Sequence, residues 1–157
     1  MSMSSSVEMT PEILYKTAWS TAIGLFNGPT LFAIVCLVWI NRGEVRLASD
    51  MYDGLWALLA LLAASGATAV WRRRVESCLP RSGTVAMEPD VSELQALTTG
   101  LVVTWWILDF ASMAGILLYF VRQSLIGLAG GLAIVWIGVW LTRPRRAWYG
   151  LRPKRLS

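Results

Sequence analysis

The stretch LVVTWWILDFASMAGILLYFV, residues 101–121, decides the fold. It is apolar over the roughly 20 residues that a helix needs to cross the hydrocarbon layer of a bilayer. One carboxylate, Asp109, stands close to its middle. Inserting a charged side chain at that depth costs about 2.5–3.5 kcal/mol, so an acid in such a place is a functional candidate by default. The run extends back to residue 97, and three more apolar runs accompany it at 17–40, 54–71 and 124–142. With 55% hydrophobic residues and a mean hydropathy of +0.54, the 157-residue chain belongs to the membrane class. The expected fold is all-α: four transmembrane helices in a single domain, 1–157, arranged as two tandem antiparallel hairpins.

The net charge of +4 does not point to nucleic acid, because the basic residues sort by side of the membrane. Placing both termini and the loop 72–93 on one side collects Lys16, Arg72, Arg73, Arg74, Arg81, Arg143, Arg145, Arg146, Arg152, Lys154 and Arg155, which is 11 of the 14 Lys and Arg residues. Arg42, Arg46 and Arg122 remain on the other. By the positive-inside rule both termini, including the basic tail 143–157, are expected in the cytoplasm, most naturally at a bacterial cytoplasmic membrane. Arg72, Arg73, Arg74, Arg143, Arg145 and Arg146 are then candidates for contact with anionic headgroups or a partner. Cys36 and Cys78 fall at opposite membrane levels in this topology, so they are expected as free thiols.

Along the chain, the first nine residues read as a polar tail without the basic n-region of a signal peptide. Thr10-Pro11-Glu12 is a helix start: an N-cap, a proline where no N–H is needed, and an acid in the first turn. In the first span Gly24 and Gly28 form a GxxxG pair suited to close helix packing, Pro29 is expected to kink the helix, and Asn27 is a mid-membrane amide in want of a partner. Residues 41–53 read as an outer loop. Asp90-Val91-Ser92-Glu93 reads as a capping box for the third helix. The two-residue turn Arg122-Gln123 makes the third and fourth helices antiparallel neighbours, and the fourth carries a second GxxxG at Gly127 and Gly131.

Sliding the chain by 82 residues superposes Thr17 on Thr99, Asn27 on Asp109, Thr30 on Ser112 and Ile34 on Ile116, which suggests a duplicated hairpin with both copies starting on the same side. Two tandem hairpins with a mid-membrane acid in only one resemble the double-hairpin proteolipid subunits of V-type rotary ATPases. That resemblance rests mainly on residues 107–121 and implies an ion-carrying carboxylate. Asp109 departs from the pattern, lying on the first helix of its hairpin instead of the second, and the expected orientation is opposite to that of bacterial proteolipids. The chain is also similar to small four-span bacterial membrane proteins that begin near MTPE, here 9–12, and end in an RPxR sequence, here 143–146, a likeness that implies architecture and no activity.

The polar residues of the membrane interior are therefore Asp109, Asn27, Ser112 and Thr104, with an Asp109–Asn27 contact expected to join the halves. The chain contains no histidine, which excludes a His-ligated haem or chlorophyll within it. Nucleophile-elbow, Walker A and zincin motifs are also missing, so no catalytic residue, metal or cofactor is expected beyond bound lipid. Trp19, Trp39, Trp56, Trp71 and Trp140 are expected as interfacial anchors, and Trp105 and Trp106 as deeper packing residues. The leading functional expectation is an accessory or assembly subunit of a larger membrane complex, with other membrane subunits or its own copies as partners. The alternative is an ion- or proton-conducting oligomer built on Asp109. A membrane enzyme is not expected.

Overall fold

The computed structural model describes residues 9–40, 50–78 and 90–151. Within them lie four long helices: α1 (Pro11–Ile40), α2 (Met51–Val70), α3 (Val91–Arg122) and α4 (Leu125–Thr142). α2 runs on through a π-helical turn, Trp71–Val75, and one 3-10 turn, Glu76–Cys78; a second 3-10 turn, Arg146–Tyr149, follows α4. All four helices are long and apolar enough to cross a membrane. Even the shortest, α4 at 18 residues, spans about 27 Å at 1.5 Å per residue. Most of the segment 41–53 expected as an outer loop, the Pro80, Gly83 and Pro89 region of the loop expected in the cytoplasm, Arg42, Arg46, Arg81 and the tail beyond Leu151 lie outside the described residues.

α3 is the centre of the bundle. It packs along α4 most extensively and along α1 and α2 on either flank. In its most apolar window 44% of residues are buried, against 6% for α2. Leu14, Ala18 and Ala22 of α1 meet Leu94, Leu97 and Leu101 of α3, while Ala33 and Cys36 meet Ile116 and Tyr119, so α1 and α3 run parallel. α2 and α4 run the other way. Consequently the starts of α1 and α3 and the ends of α2 and α4 gather at one end, which carries Arg72, Arg73, Arg74, Arg143, Arg145 and Arg146.

The first two helices do not pack as the expected hairpin. α1 and α2 make at most marginal contact and sit on opposite flanks of the α3–α4 pair. The physical reason is in the glycines of α3 and α4. A methyl group at Gly127 would stand 2.7 Å from the Gly115 carbonyl oxygen, and one at Gly131 would stand 2.7 Å from that of Ser112. The two backbones are in direct contact there, which only side-chain-free positions allow. Helices this close leave grooves on both sides, and α1 and α2 each fill one.

The groove for α2 is a slot for one residue. Trp56 lies against Gly115 and Gly130, where any side chain would collide with its indole, and its Nε1 donates to the Ala111 carbonyl at 3.1 Å. Trp56 is thus a buried core residue, not the interfacial anchor its sequence position suggests. Arg74 and Val75 press on Gly100 nearer the basic end, which fixes α2 at a second level.

Helix ends follow the sequence with two exceptions. Thr10 caps α1, its hydroxyl accepting from Ile13 N–H at 3.4 Å. Gln123, with φ 58°, turns α3 back into α4 through a left-handed residue, and Ser124 caps α4 by accepting from Gly127 N–H. α3 does not have the expected capping box: Asp90 accepts from the Ser92 hydroxyl at 2.6 Å and its side chain does not cap the helix. The capping box is instead on α2, where the Asp50 side chain accepts from Tyr52 and Asp53 N–H and the Asp53 side chain accepts from Asp50 N–H. The helix therefore begins at Met51, three residues before the expected start of the span.

Two glycine substitutions are expected to separate these roles. Gly131→Ala forces backbone apart from backbone and should cost about 1–3 kcal/mol of stability. Gly24→Ala meets nothing within 4 Å and should leave stability unchanged or slightly raised. Thermal unfolding followed by helical circular dichroism in detergent checks both.

Candidate functional site

The four polar candidates of the membrane interior do not form one cluster. Thr104 is buried, and its hydroxyl is satisfied by its own helix, donating to the Gly100 carbonyl at 2.8 Å. Asp109 and Ser112 lie one turn apart on α3. Ser112 is fully buried and Asp109 partly so, and both Ser112 Oγ and Asp109 Oδ1 are enclosed without a hydrogen-bond partner among the described residues. Lipid supplies no partner to such groups, so two enclosed and unpaired polar atoms so close together form an unusual feature of this core.

Asn27 is not there. α1 turns Ala18, Ala22, Pro29, Ala33 and Cys36 inward, and Asn27 falls on the exposed side, so the expected Asp109–Asn27 contact is not made. With Ser20, Gly24, Gly28 and Leu31 it shares an outward stripe at spacings of three and four residues. The GxxxG pair of α1 consequently does no packing inside the molecule: a side chain at Gly24 or Gly28 would meet nothing within 4 Å. Its counterpart on α4, Gly127 and Gly131, packs as expected against α3.

Several aromatic N–H and O–H groups, by contrast, are paired. Trp105, fully buried, donates to Thr142 Oγ1 at 2.6 Å, and Trp136 donates to Thr30 Oγ1 at 3.1 Å. Tyr149 is buried with its hydroxyl 3.0 Å from that of Thr98 and its ring edge-on to Tyr15 at 5.6 Å. This burial holds the Tyr149 hydroxyl above the ordinary tyrosine range. Trp148 reaches Trp71 at 5.9 Å, so the segment after α4 is folded back onto α1, α2 and α3. Of the basic candidates, Arg143 stands over Trp140 at 4.4 Å, Arg145 over Trp148 at 5.6 Å and Arg146 over Tyr15 at 5.5 Å. Arg72, Arg73 and Arg74 are exposed. Cys36 is buried and Cys78 half-buried, both as free thiols.

A polar cluster that the sequence reading passed over closes the opposite end. Asp53, buried at 4% exposure, accepts a short hydrogen bond from the Ser124 hydroxyl. Asp50 pairs with Arg122 at 3.2 Å, and the same guanidinium lies over the Tyr52 ring at 4.3 Å. The start of α2, the end of α3 and the start of α4 are thereby tied together. Asp50-x-x-Asp53 was a legible signal for it, since that spacing is a capping box when it precedes an apolar helix. Among the described residues no group of His, Cys, Asp or Glu side chains has the arrangement of a metal site.

Comparison with protein-family models, with curated proteins and with solved structures finds no match for this chain.

The Asp50–Asp53 cluster has a defined pH dependence. The Asp53 N–H, with that of Tyr52 and the Arg122 guanidinium, holds the Asp50 carboxyl below the usual carboxylate range. A depressed folded value contributes stability that is present above the unfolded value, about 4, and is lost as pH falls through the folded one. The melting temperature in detergent should therefore drop on acidification below about pH 4, and the drop should be smaller in Asp50→Asn. Ser124→Ala should destabilise at every pH, by about 1–3 kcal/mol, because it leaves buried Asp53 short of a donor.

Proposed function

We propose that this protein is an accessory or assembly subunit of a larger membrane complex, inserted in a bacterial cytoplasmic membrane with both termini in the cytoplasm and without catalytic activity of its own. The observation that carries the reading is the division of the glycines. Those of α3 and α4, at positions 100, 115, 127, 130, 131 and 138, are each pressed against a neighbouring helix. Gly24 and Gly28 on α1 and Gly54 and Gly66 on α2 face open space. In lipid, helices associate through close backbone approach and interhelical hydrogen bonds, because tails are as apolar as leucine. Small-residue faces left unused by the bundle, one of them bearing the Asn27 amide, suit docking of further helices. The orientation is supported by the gathering of the six arginines named above at one end.

A second reading uses Asp109. Its enclosed, unpaired Oδ1, one turn from the enclosed hydroxyl of Ser112, suits a proton- or cation-carrying carboxyl, and it keeps the proteolipid likeness open as a proposal. Among the described residues the other buried acid, Asp53, lies at the opposite end of the bundle and is bonded to Ser124, so no run of charged groups leads to or from Asp109, and this reading is the lesser one.

Mild detergent extraction of the tagged protein from its native membrane, followed by native mass analysis, is expected to bring other chains in fixed stoichiometry. Gly24→Leu and Asn27→Leu should release them while leaving helical content unchanged. Recovery of a homo-oligomer alone would overturn the accessory reading, and loss of ion flux in Asp109→Asn would then support the second.

A further inference from the structure

We propose that the groove between α1 and α4 at the basic end is a binding site for an anionic phospholipid, with Arg143 holding the phosphate and an acyl chain lying along Trp19, Phe26, Trp136 and Trp140. The groove has a volume of about 760 Å³ and an almost wholly apolar wall. Its aromatic residues are held in place. Phe26 and Trp136 stack at 4.9 Å, the Trp136 indole N–H is bonded to Thr30, and the Trp19 indole N–H is bonded to the Tyr15 hydroxyl at 2.5 Å. A preformed wall loses little side-chain freedom when a chain settles on it.

The mouth of the groove is cationic. Arg143 lines it and is held over the Trp140 face, making neither a salt bridge nor a hydrogen bond among the described residues. Arg146 stands over Tyr15 beside Trp19, and its enclosed Nε lacks an acceptor. The nearby acid on α1, Glu12, is engaged by Lys16 at 3.1 Å. Arg143 thus stands where the groove reaches headgroup level, with Arg146 on Tyr15 one turn before Trp19, and guanidinium is the side chain best matched to phosphate oxygens. A basic recess between transmembrane helices on the positive side is the geometry that selects anionic headgroups. Asn27 also borders the groove, but eight residues beyond Trp19, about 12 Å deeper by helix rise. At that depth Asn27 borders the acyl-chain part of the site, whereas Gly24 of the outward stripe does not line the groove, so the lipid site and partner docking are separable at Gly24.

The test loads the purified intact protein with an equimolar mixture of phosphatidylglycerol and phosphatidylcholine of identical acyl chains and reads the retained lipid by native mass spectrometry. The wild type is expected to retain phosphatidylglycerol preferentially. Arg143→Gln should lower that preference about fivefold, as expected for one cation at a membrane surface, and Arg143→Lys should largely keep it. Arg72→Gln removes the same charge from the α2 side and should leave the preference intact. Gly24→Leu, on the outward stripe but outside the groove lining, should also leave it intact while releasing partner chains, so failure of the lipid site and failure of the partner reading are told apart. An equal preference in Arg143→Gln and wild type, an equal loss in Arg143→Gln and Arg72→Gln, or no preference in the wild type would each overturn the proposal.

Discussion

The backbone contact between α3 and α4 at Gly115–Gly127 and Ser112–Gly131 sets the rest of the bundle. Two helices in touch along their main chains form a narrow central ridge, and a third helix cannot sit symmetrically on both of them. α1 takes one flank and α2 the other, which separates the two helices that the sequence joins first. The same closeness opens the recess at Gly115 and Gly130 that receives Trp56. α2 has little buried surface of its own. It is held at three levels: the Asp50–Asp53 cluster at one end, Trp56 in the middle, and Arg74 with Val75 against Gly100 at the other. A helix fixed in this way is rigid while most of its surface faces outward.

Polar groups divide the molecule along similar lines. In a medium without water each donor needs a protein partner, and the indoles of Trp56, Trp105 and Trp136, the hydroxyl of Thr104 and the Tyr149–Thr98 pair all have one. These bonds link helices distant in sequence or satisfy a group within its own helix, and their role is structural. Asp109, Ser112 and Asn27 stand apart because the bundle supplies no partner for them. A bundle able to pair its indoles had the means to pair an amide, and the outward position of Asn27 is hard to account for as packing within one chain. This asymmetry, more than hydropathy, is what supports the proposal that α1 docks to a partner.

Span number, helix type and the antiparallel α3–α4 turn were legible because they depend on local properties: apolar length, a two-residue connection, a proline at a helix start. Gly127 and Gly131 were legible as packing residues for the same reason. What was not legible depends on which way a helix is rotated. A GxxxG pattern announces close approach without saying to what, so nothing local told that Gly24 and Gly28 face outward. Asn27 and Asp109 sit in equivalent positions 82 residues apart, yet α1 is a flank and α3 the centre. The rotation of α1 about its axis, fixed by its alanine face against α3, carries Asn27 away. Trp56 looked like an anchor because it lies near a span end; only Gly115 and Gly130, on two other helices, reveal its slot. Asp53 and Ser124 are 71 residues apart, and no local pattern links them.

The basic end shows how charge and packing reinforce each other. Arg143, Arg145 and Arg146 each rest on an aromatic face, and Tyr149 and Trp148 anchor the segment that carries them. Guanidiniums spread over rings keep their N–H edges available, whereas pairing with carboxylates would consume them. Cation–π contact stabilises each by about 0.5–1 kcal/mol where exposed, enough to orient a side chain without neutralising it. The result is a fixed array of positive charge at one membrane level, set beside an aromatic groove. A topogenic signal alone requires only the number of arginines on that side; holding three of them on rings at the mouth of a groove and at the foot of α1 is more order than orientation demands, and it is that surplus which argues for a bound anion.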